Sequence, residues 1–201
     1  MDPELKQRYE KLNTMVVVQR KPFDELMRML ETETSWLESP ASTRFHLCER
    51  HGLLRHSVGV AETLLKLKAC LAPQLSDESC VIVGLLHDAG KVGMPGKPLY
   101  LRNDNEWEAK NRGKPYKYNT EVTAMGLAVR SLYLVAKYLP LSDAEAQAIC
   151  YHDGQYVAEN EPVAQDEAPL TLLVHWADYW TAHIFEDARP VEEDTNYYDR
   201  A

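Results

Sequence analysis

The residues Val81-Ile-Val-Gly-Leu-Leu86 present no polar side chain on any side and run directly into His87-Asp88. A helix that is apolar all round belongs inside a bundle, not on its surface. The segment is therefore predicted to be a central helix that carries two titratable residues to the edge of the core. Ser76 is its expected N-cap, and Gly90 is its expected stopping point.

The rest of the chain repeats the helical period. Leu5, Tyr9 and Leu12 share one side of a short helix over residues 2–13. Pro22 suits a helical first turn, and Phe23, Leu26, Met27 and Leu30 follow at the spacing of one buried face. That helix is expected to end before Ser39-Pro40. After a loop over Ser42–Gly52, a long helix is predicted over Leu54–Leu71, with Val58, Ala61, Leu64 and Leu65 inward. Three further helices are expected: Thr120–Tyr138, one capped by the Ser142/Glu145 pair and ending near Tyr151, and Ala168–Glu186. Between them, residues 92–119 hold Pro95, Gly96, Pro98, Gly113 and Pro115, which disfavour regular structure. No alternating strand pattern competes, so the predicted class is all-α. A single domain over residues 1–201 is expected, with a core at 44–186, an N-terminal helical extension and a poorly ordered acidic tail from Arg189.

Composition narrows the function classes. With 45% hydrophobic and 26% charged residues, and no apolar run near the roughly 18–20 residues that span a bilayer, a soluble protein without a membrane partner is expected. The start Met1-Asp-Pro-Glu-Leu-Lys-Gln lacks a signal peptide's apolar core, so the expected compartment is the cytoplasm. Cys48, Cys70, Cys80 and Cys150 form no CxxC pair. Cys70 and Cys80 are expected to be buried, reduced thiols. The net charge of −9 argues against gripping long nucleic acid. A small anionic substrate remains compatible, because a metal ion and a few lysines can make a local attractive pocket. Apolar outer faces on a small helical protein would also suit a homodimer.

His56, the pair His87-Asp88, and Asp178 each fall on or at the end of a predicted helix among apolar neighbours. Each alone has an ordinary structural reading: His56 as a satisfied, partly buried histidine, Asp178 as a carboxylate facing an arginine. Burying all four is costly without compensation, and one divalent cation would compensate them together. Two imidazoles and two carboxylates suit Mn, Fe, Co, Ni or Zn rather than Ca or Mg. His87 and Asp88 point about 100° apart on a helix, so the pair is workable where the backbone turns, and Gly90 is the expected source of that turn.

The strings Gly-Leu-Leu-Arg-His56-Ser-Val-Gly-Val, Val-Gly-Leu-Leu-His87-Asp88-Ala-Gly-Lys91 and Leu-Leu-Val-His-Trp-Ala-Asp178 together resemble the HD superfamily of metal-dependent phosphohydrolases. The resemblance spans roughly residues 44–186. It implies a bundle of about five core helices and metal ligation by His56, His87, Asp88 and Asp178. It also puts Lys91 in the active site as a neutraliser of phosphate charge, although a cation there would equally complement a helix C-terminus. Asp88, Lys91 and His152 form the expected catalytic set, with His152 as phosphate binder or general acid. Two-metal relatives carry further histidines between the HD pair and the last aspartate. This chain has none between Asp88 and His152, which points to a mononuclear centre.

Arg44 and His46 resemble residues in similar small HD proteins, including the HD portion of certain 3′–5′ exoribonucleases, and are candidate phosphate contacts. His51 and His175 read as structural, with His175 a candidate hydrogen-bond partner of Asp178, and His183 is expected to be exposed. In the segment after the HD pair, Lys97, Arg102, Lys110, Arg112, Lys114 and Lys117 outnumber three acids, interleaved with Tyr100, Trp107, Tyr116 and Tyr118. Such a segment either holds a nucleotide, with Lys97 and Arg102 on the phosphates, or is a solvated loop pinned by aromatic anchors. It would be placed to act as a lid. The expected activity is metal-dependent hydrolysis of phosphate ester or anhydride bonds in a small nucleotide, of the nucleotidase or dNTP phosphohydrolase type. The alternatives are a 3′–5′ exonuclease on short single-stranded oligonucleotides and a non-catalytic nucleotide-binding sensor.

Overall fold

The computed structural model describes residues 1–43 and 45–186. Arg44 and the predicted acidic tail lie outside the described residues. Two outer helices come first. In α1 (Pro3–Thr14), Asp2 caps the Glu4 N–H and Leu5, Tyr9 and Leu12 are buried. In α2 (Arg20–Glu33), Phe23, Leu26, Met27 and Leu30 are buried, on the predicted face. The Tyr9 hydroxyl joins the two helices and the following turn, donating to Glu31 at 2.7 Å and accepting from Trp36 Nε1 at 3.1 Å.

The bundle proper is built from α3 (Gly52–Leu71), α4 (Asp77–Leu86), α6 (Leu127–Ala136), α7 (Asp143–Tyr151) and α8 (Pro169–Trp180). The chain is all-α in class, with a helical bundle as its core. As its all-apolar pattern requires, α4 is central: every residue from Cys80 to Leu86 is buried. Contact with α3 is close because Gly84 lacks a side chain, and a Cβ there would lie 2.5 Å from the Ala61 Cα. Ser142 and Glu145 form the expected capping box at the start of α7. On α7, Gln147 Oε1 accepts from the Ala168 N–H and the Thr171 hydroxyl, fixing the start of α8.

Several expectations need correction. Residues 92–119 are not purely irregular. They hold two small antiparallel hairpins, β1 (Gly93–Met94) with β2 (Lys97–Pro98) and β3 (Tyr100–Arg102) with β4 (Tyr116–Tyr118), and a one-and-a-half-turn helix α5 (Glu106–Asn111) capped by Asn105. Tyr100, Leu99 and Val122 make a satellite apolar cluster. The helix expected from Thr120 starts only at Leu127, because Val122 is drawn into that cluster and the chain stays non-helical up to Gly126. At the far end, α8 stops at Trp180 and continues as a π turn over Thr181–Phe185. Cys70 is exposed, as are its neighbours Ala69 and Leu71 at the end of α3, whereas Cys80 is buried; all four thiols are free. Among the described residues, no helix is long and apolar enough to cross a membrane.

Candidate metal centre

The HD pair sits where α4 gives way to a tight 3₁₀ turn, Ala89–Val92. His87 keeps helical dihedrals, and its N–H still bonds to the Val83 carbonyl at 2.9 Å. The chain turns at Asp88 itself (φ −101°, ψ 11°). The predicted role of Gly90 as the helix stop is therefore incorrect. Its missing side chain instead permits contact with α6: a Cβ would lie 2.3 Å from the Leu127 carbonyl oxygen and 2.8 Å from the Ser131 N. Side chains of α6 hold this turn. Ser131 Oγ accepts the Gly90 N–H at 2.8 Å, and the buried Arg130 donates to the Gly90, Thr123 and Met125 carbonyls.

The fold brings the four predicted ligands together. His56 Nε2, from α3, lies 3.0 Å from Asp178 Oδ1 on α8 and 3.5 Å from Asp88 Oδ2. His87 Nε2 lies 3.6 Å from Asp88 Oδ2. His152, at the end of α7, joins them with Nε2 3.6 Å from Asp88 Oδ1 and its ring 4.8 Å from that of His87. Lys91 Nζ lies 2.6 Å from Asp88 Oδ2. Side-chain exposure rises from 0–5% at His87, His56, His152 and Asp88 to 15% at Lys91 and 21% at Asp178, which marks the solvent side.

Whether this set fits a metal is decided by its nitrogens. His87 Nδ1 lies 2.9 Å from the Gly84 carbonyl and His152 Nδ1 lies 2.9 Å from the Ile149 carbonyl. A carbonyl only accepts, so both Nδ1 atoms carry the hydrogen and the Nε2 edges face the cluster. His87 Nε2 is buried and has no hydrogen-bond partner, an arrangement that a cation would satisfy. His56, His87 and Asp178 form one group able to share an ion, and His87, Asp88 and His152 form a second that overlaps it. The donor set fits a transition-type divalent ion.

Electrostatics agree with a compact anionic nest. Burial pushes the His87 imidazole down to about 4. Burial also opposes charge on His56 and His152. The carboxylates of Asp178 and Glu186 outweigh it at His56, raising that group to about 10, and Asp88 with Asp153 raises His152 to about 9. Asp88 stays ionised despite burial because Lys91 and the neighbouring imidazoles favour its charge.

The remaining predicted residues fall elsewhere. His46 lies on the Nδ1 side of His56, its Nε2 3.8 Å from Glu186. Lys97 sits on β2 and Arg102 at the end of β3, both exposed. Arg44 lies outside the described residues. The expected link from His175 to Asp178 gives way to a different bond: its Nδ1 is 2.9 Å from the His152 carbonyl. Two residues were missed in the sequence. Asp153 stands within ligand distance of His152 and Asp178, and Glu186 accepts from His56 Nδ1 at 3.0 Å. Adjacency to His152 could have flagged Asp153; Glu186 carries no local signal.

Comparison with known families places this geometry. The family model described as HD domain matches residues 53–182, more than half of the 201-residue chain. Neither curated proteins nor solved structures gave a match. Proteins of that family are generally metal-dependent phosphohydrolases with a helical fold. The matched span opens just before His56 and closes just after Asp178, enclosing the whole H…HD…D series, and on that ground the chain belongs to the HD domain family.

Proposed function

We propose that the chain hydrolyses phosphate ester or anhydride bonds in a small nucleotide, using one divalent ion held by His56, His87, Asp88 and Asp178. The observation that carries this reading is the meeting of the His56 and His87 Nε2 edges with the Asp88 and Asp178 carboxylates in one cluster, with an ammonium beside it. When bound, such an ion activates water and polarises a phosphoryl oxygen. Lys91, locked to Asp88, supplies positive charge that offsets charge developing on the phosphoryl group. In the metal-free chain His152 holds a proton at Nε2 at neutral pH, and its place beside Asp88 suits it to deliver a proton to the leaving oxygen.

A nucleotide is favoured over a bare phosphate by the hairpins that come after the HD turn. They offer the exposed rings of Trp107 and Tyr118 alongside exposed cations, among them Lys97 and Arg102. Two of the six cations are engaged locally, Lys117 with Asp104 and Arg112 with Glu108. The charge of −9 disfavours a long polyanion.

The test is a panel of nucleoside mono- and triphosphates offered to metal-stripped protein with Mn, Co, Ni, Zn or Mg, the products resolved by chromatography. Asp88→Ala and Asp178→Asn serve as controls. Metal-dependent turnover abolished in both supports the reading. Cleavage of short oligonucleotides with mononucleotides untouched would replace it with an exonuclease, and tight nucleotide binding without product would replace it with a sensor.

A further inference from the structure

The three imidazoles of the cluster do not obtain their orientation in the same way. His87 and His152 each come directly after the last residue of a helix and give Nδ1–H to the carbonyl three residues back. Those carbonyls are available because the final turn of a helix leaves its acceptors unused. His56 has no such resource. It is the fifth residue of the 20-residue α3, where the carbonyls just behind it serve the helix's own N–H groups. Its Nδ1–H needs an acceptor from outside α3.

That acceptor is Glu186. Its Oε2 lies 3.0 Å from His56 Nδ1, and its side chain is only 7% exposed. A carboxylate buried to that degree requires a donor. The chain reaches this point through the π turn over Thr181–Phe185, closed by the Glu186 N–H on the Thr181 carbonyl at 3.0 Å. Single π turns of this kind are frequent at functional sites. His46, from the loop before α3, stands behind the pair: its ring centroid is 5.1 Å from that of His56 and its Nε2 is 3.8 Å from the same carboxylate oxygen. Both Glu186 and His46 lie outside the span 53–182 that the family model matches.

We infer that Glu186 is a positioning residue of the metal centre: it takes the Nδ1–H of His56, commits Nε2 to the ion, and is backed by His46. The inference rests on the metal site read above. A carboxylate partner fixes the ring and raises the basicity of a ligating imidazole, and losing such a partner costs about 10–100-fold in metal affinity.

The experiment is a titration of metal-stripped wild type, Glu186→Gln and Glu186→Ala with Co(II), monitoring heat and the visible absorption of the bound ion. The expected result is a loss of affinity of about 10–100-fold in Glu186→Ala with a shifted Co(II) spectrum, and partial recovery in Glu186→Gln, whose amide oxygen still accepts. Affinity and spectrum equal to wild type in Glu186→Ala would overturn the inference. Wild type that binds no Co(II) would overturn the metal site itself, a separate outcome. Should Glu186→Ala not fold, the proton resonance of His56 Nδ1–H in the Zn-loaded protein decides. It is expected downfield in wild type and moved upfield in Glu186→Gln, and an unmoved resonance would overturn the inference.

Discussion

His87 is fully buried, its Nδ1 is given to the Gly84 carbonyl, and its Nε2 has no hydrogen-bond partner. Burial keeps it neutral, with its value near 4, so its lone pair needs no deprotonation to bind an ion. His56 and His152 differ: their folded values, about 10 and about 9, stand above the ordinary 6.5. In the metal-free chain their protonated forms therefore add stability that is full below about pH 6.5 and is lost as pH rises through 9 to 10. A metal ion at the proposed ligands competes with the His56 proton, so its affinity runs the opposite way and strengthens as pH rises from 6 to 9. Calorimetry in buffers of different ionisation enthalpy is expected to show about one proton, that of His56, released per ion at pH 7. Binding with no proton release and no dependence on pH would remove His56 from the ligand set.

Between the elements, the position of the HD turn depends on α6. Gly90→Ala pushes a methyl group against the Leu127 carbonyl and the Ser131 N, both backbone atoms that cannot swing aside. A cost of about 1–3 kcal/mol is expected, or a drop of roughly 2–12 °C in Tm at about 2–4 °C per kcal/mol for a chain of this length, together with weaker metal binding because Asp88 moves with the turn. Unchanged stability would mean that α6 does not hold the turn. Ser142→Ala is the contrasting case. It removes the α7 cap, at a cost of about 1 kcal/mol by thermal unfolding, and leaves turnover intact because the His152 end of the helix is the far end. These two positions also separate what was legible in the sequence from what was not. The capping box at Ser142 and the all-apolar run before His87 are local patterns, and local chemistry determines them. The space behind Gly90, the capture of Val122 by Tyr100 and Leu99, and the arrival of Glu186 at His56 are settled by residues 20 to 130 positions apart, which no window of sequence contains.

Across the whole molecule, the candidate ligands come from α3, from the turn after α4 and from α8, with His152 from the end of α7 beside them. These stretches are far apart in sequence, and the apolar core that joins them converges on a cluster rich in carboxylates and imidazoles. Burial alone would disfavour the charges of Asp88 and Asp178, and Lys91 with the neighbouring imidazoles offsets it, holding both carboxyls below their ordinary values. An ion that binds the folded chain and not the unfolded one adds stability by mass action, about 2.7 kcal/mol at a hundredfold excess over its Kd. For a chain of this size that corresponds to roughly 5–11 °C in Tm. Scanning calorimetry of stripped protein, of the same protein with added Mn or Co, and of Asp178→Asn with the same ion is expected to show the rise in the wild type and little in the variant. If turnover required the ion while Tm ignored it, the ion would be arriving with the substrate, and the His56–His87–Asp88–Asp178 set would be holding a substrate-borne metal instead of a resident one.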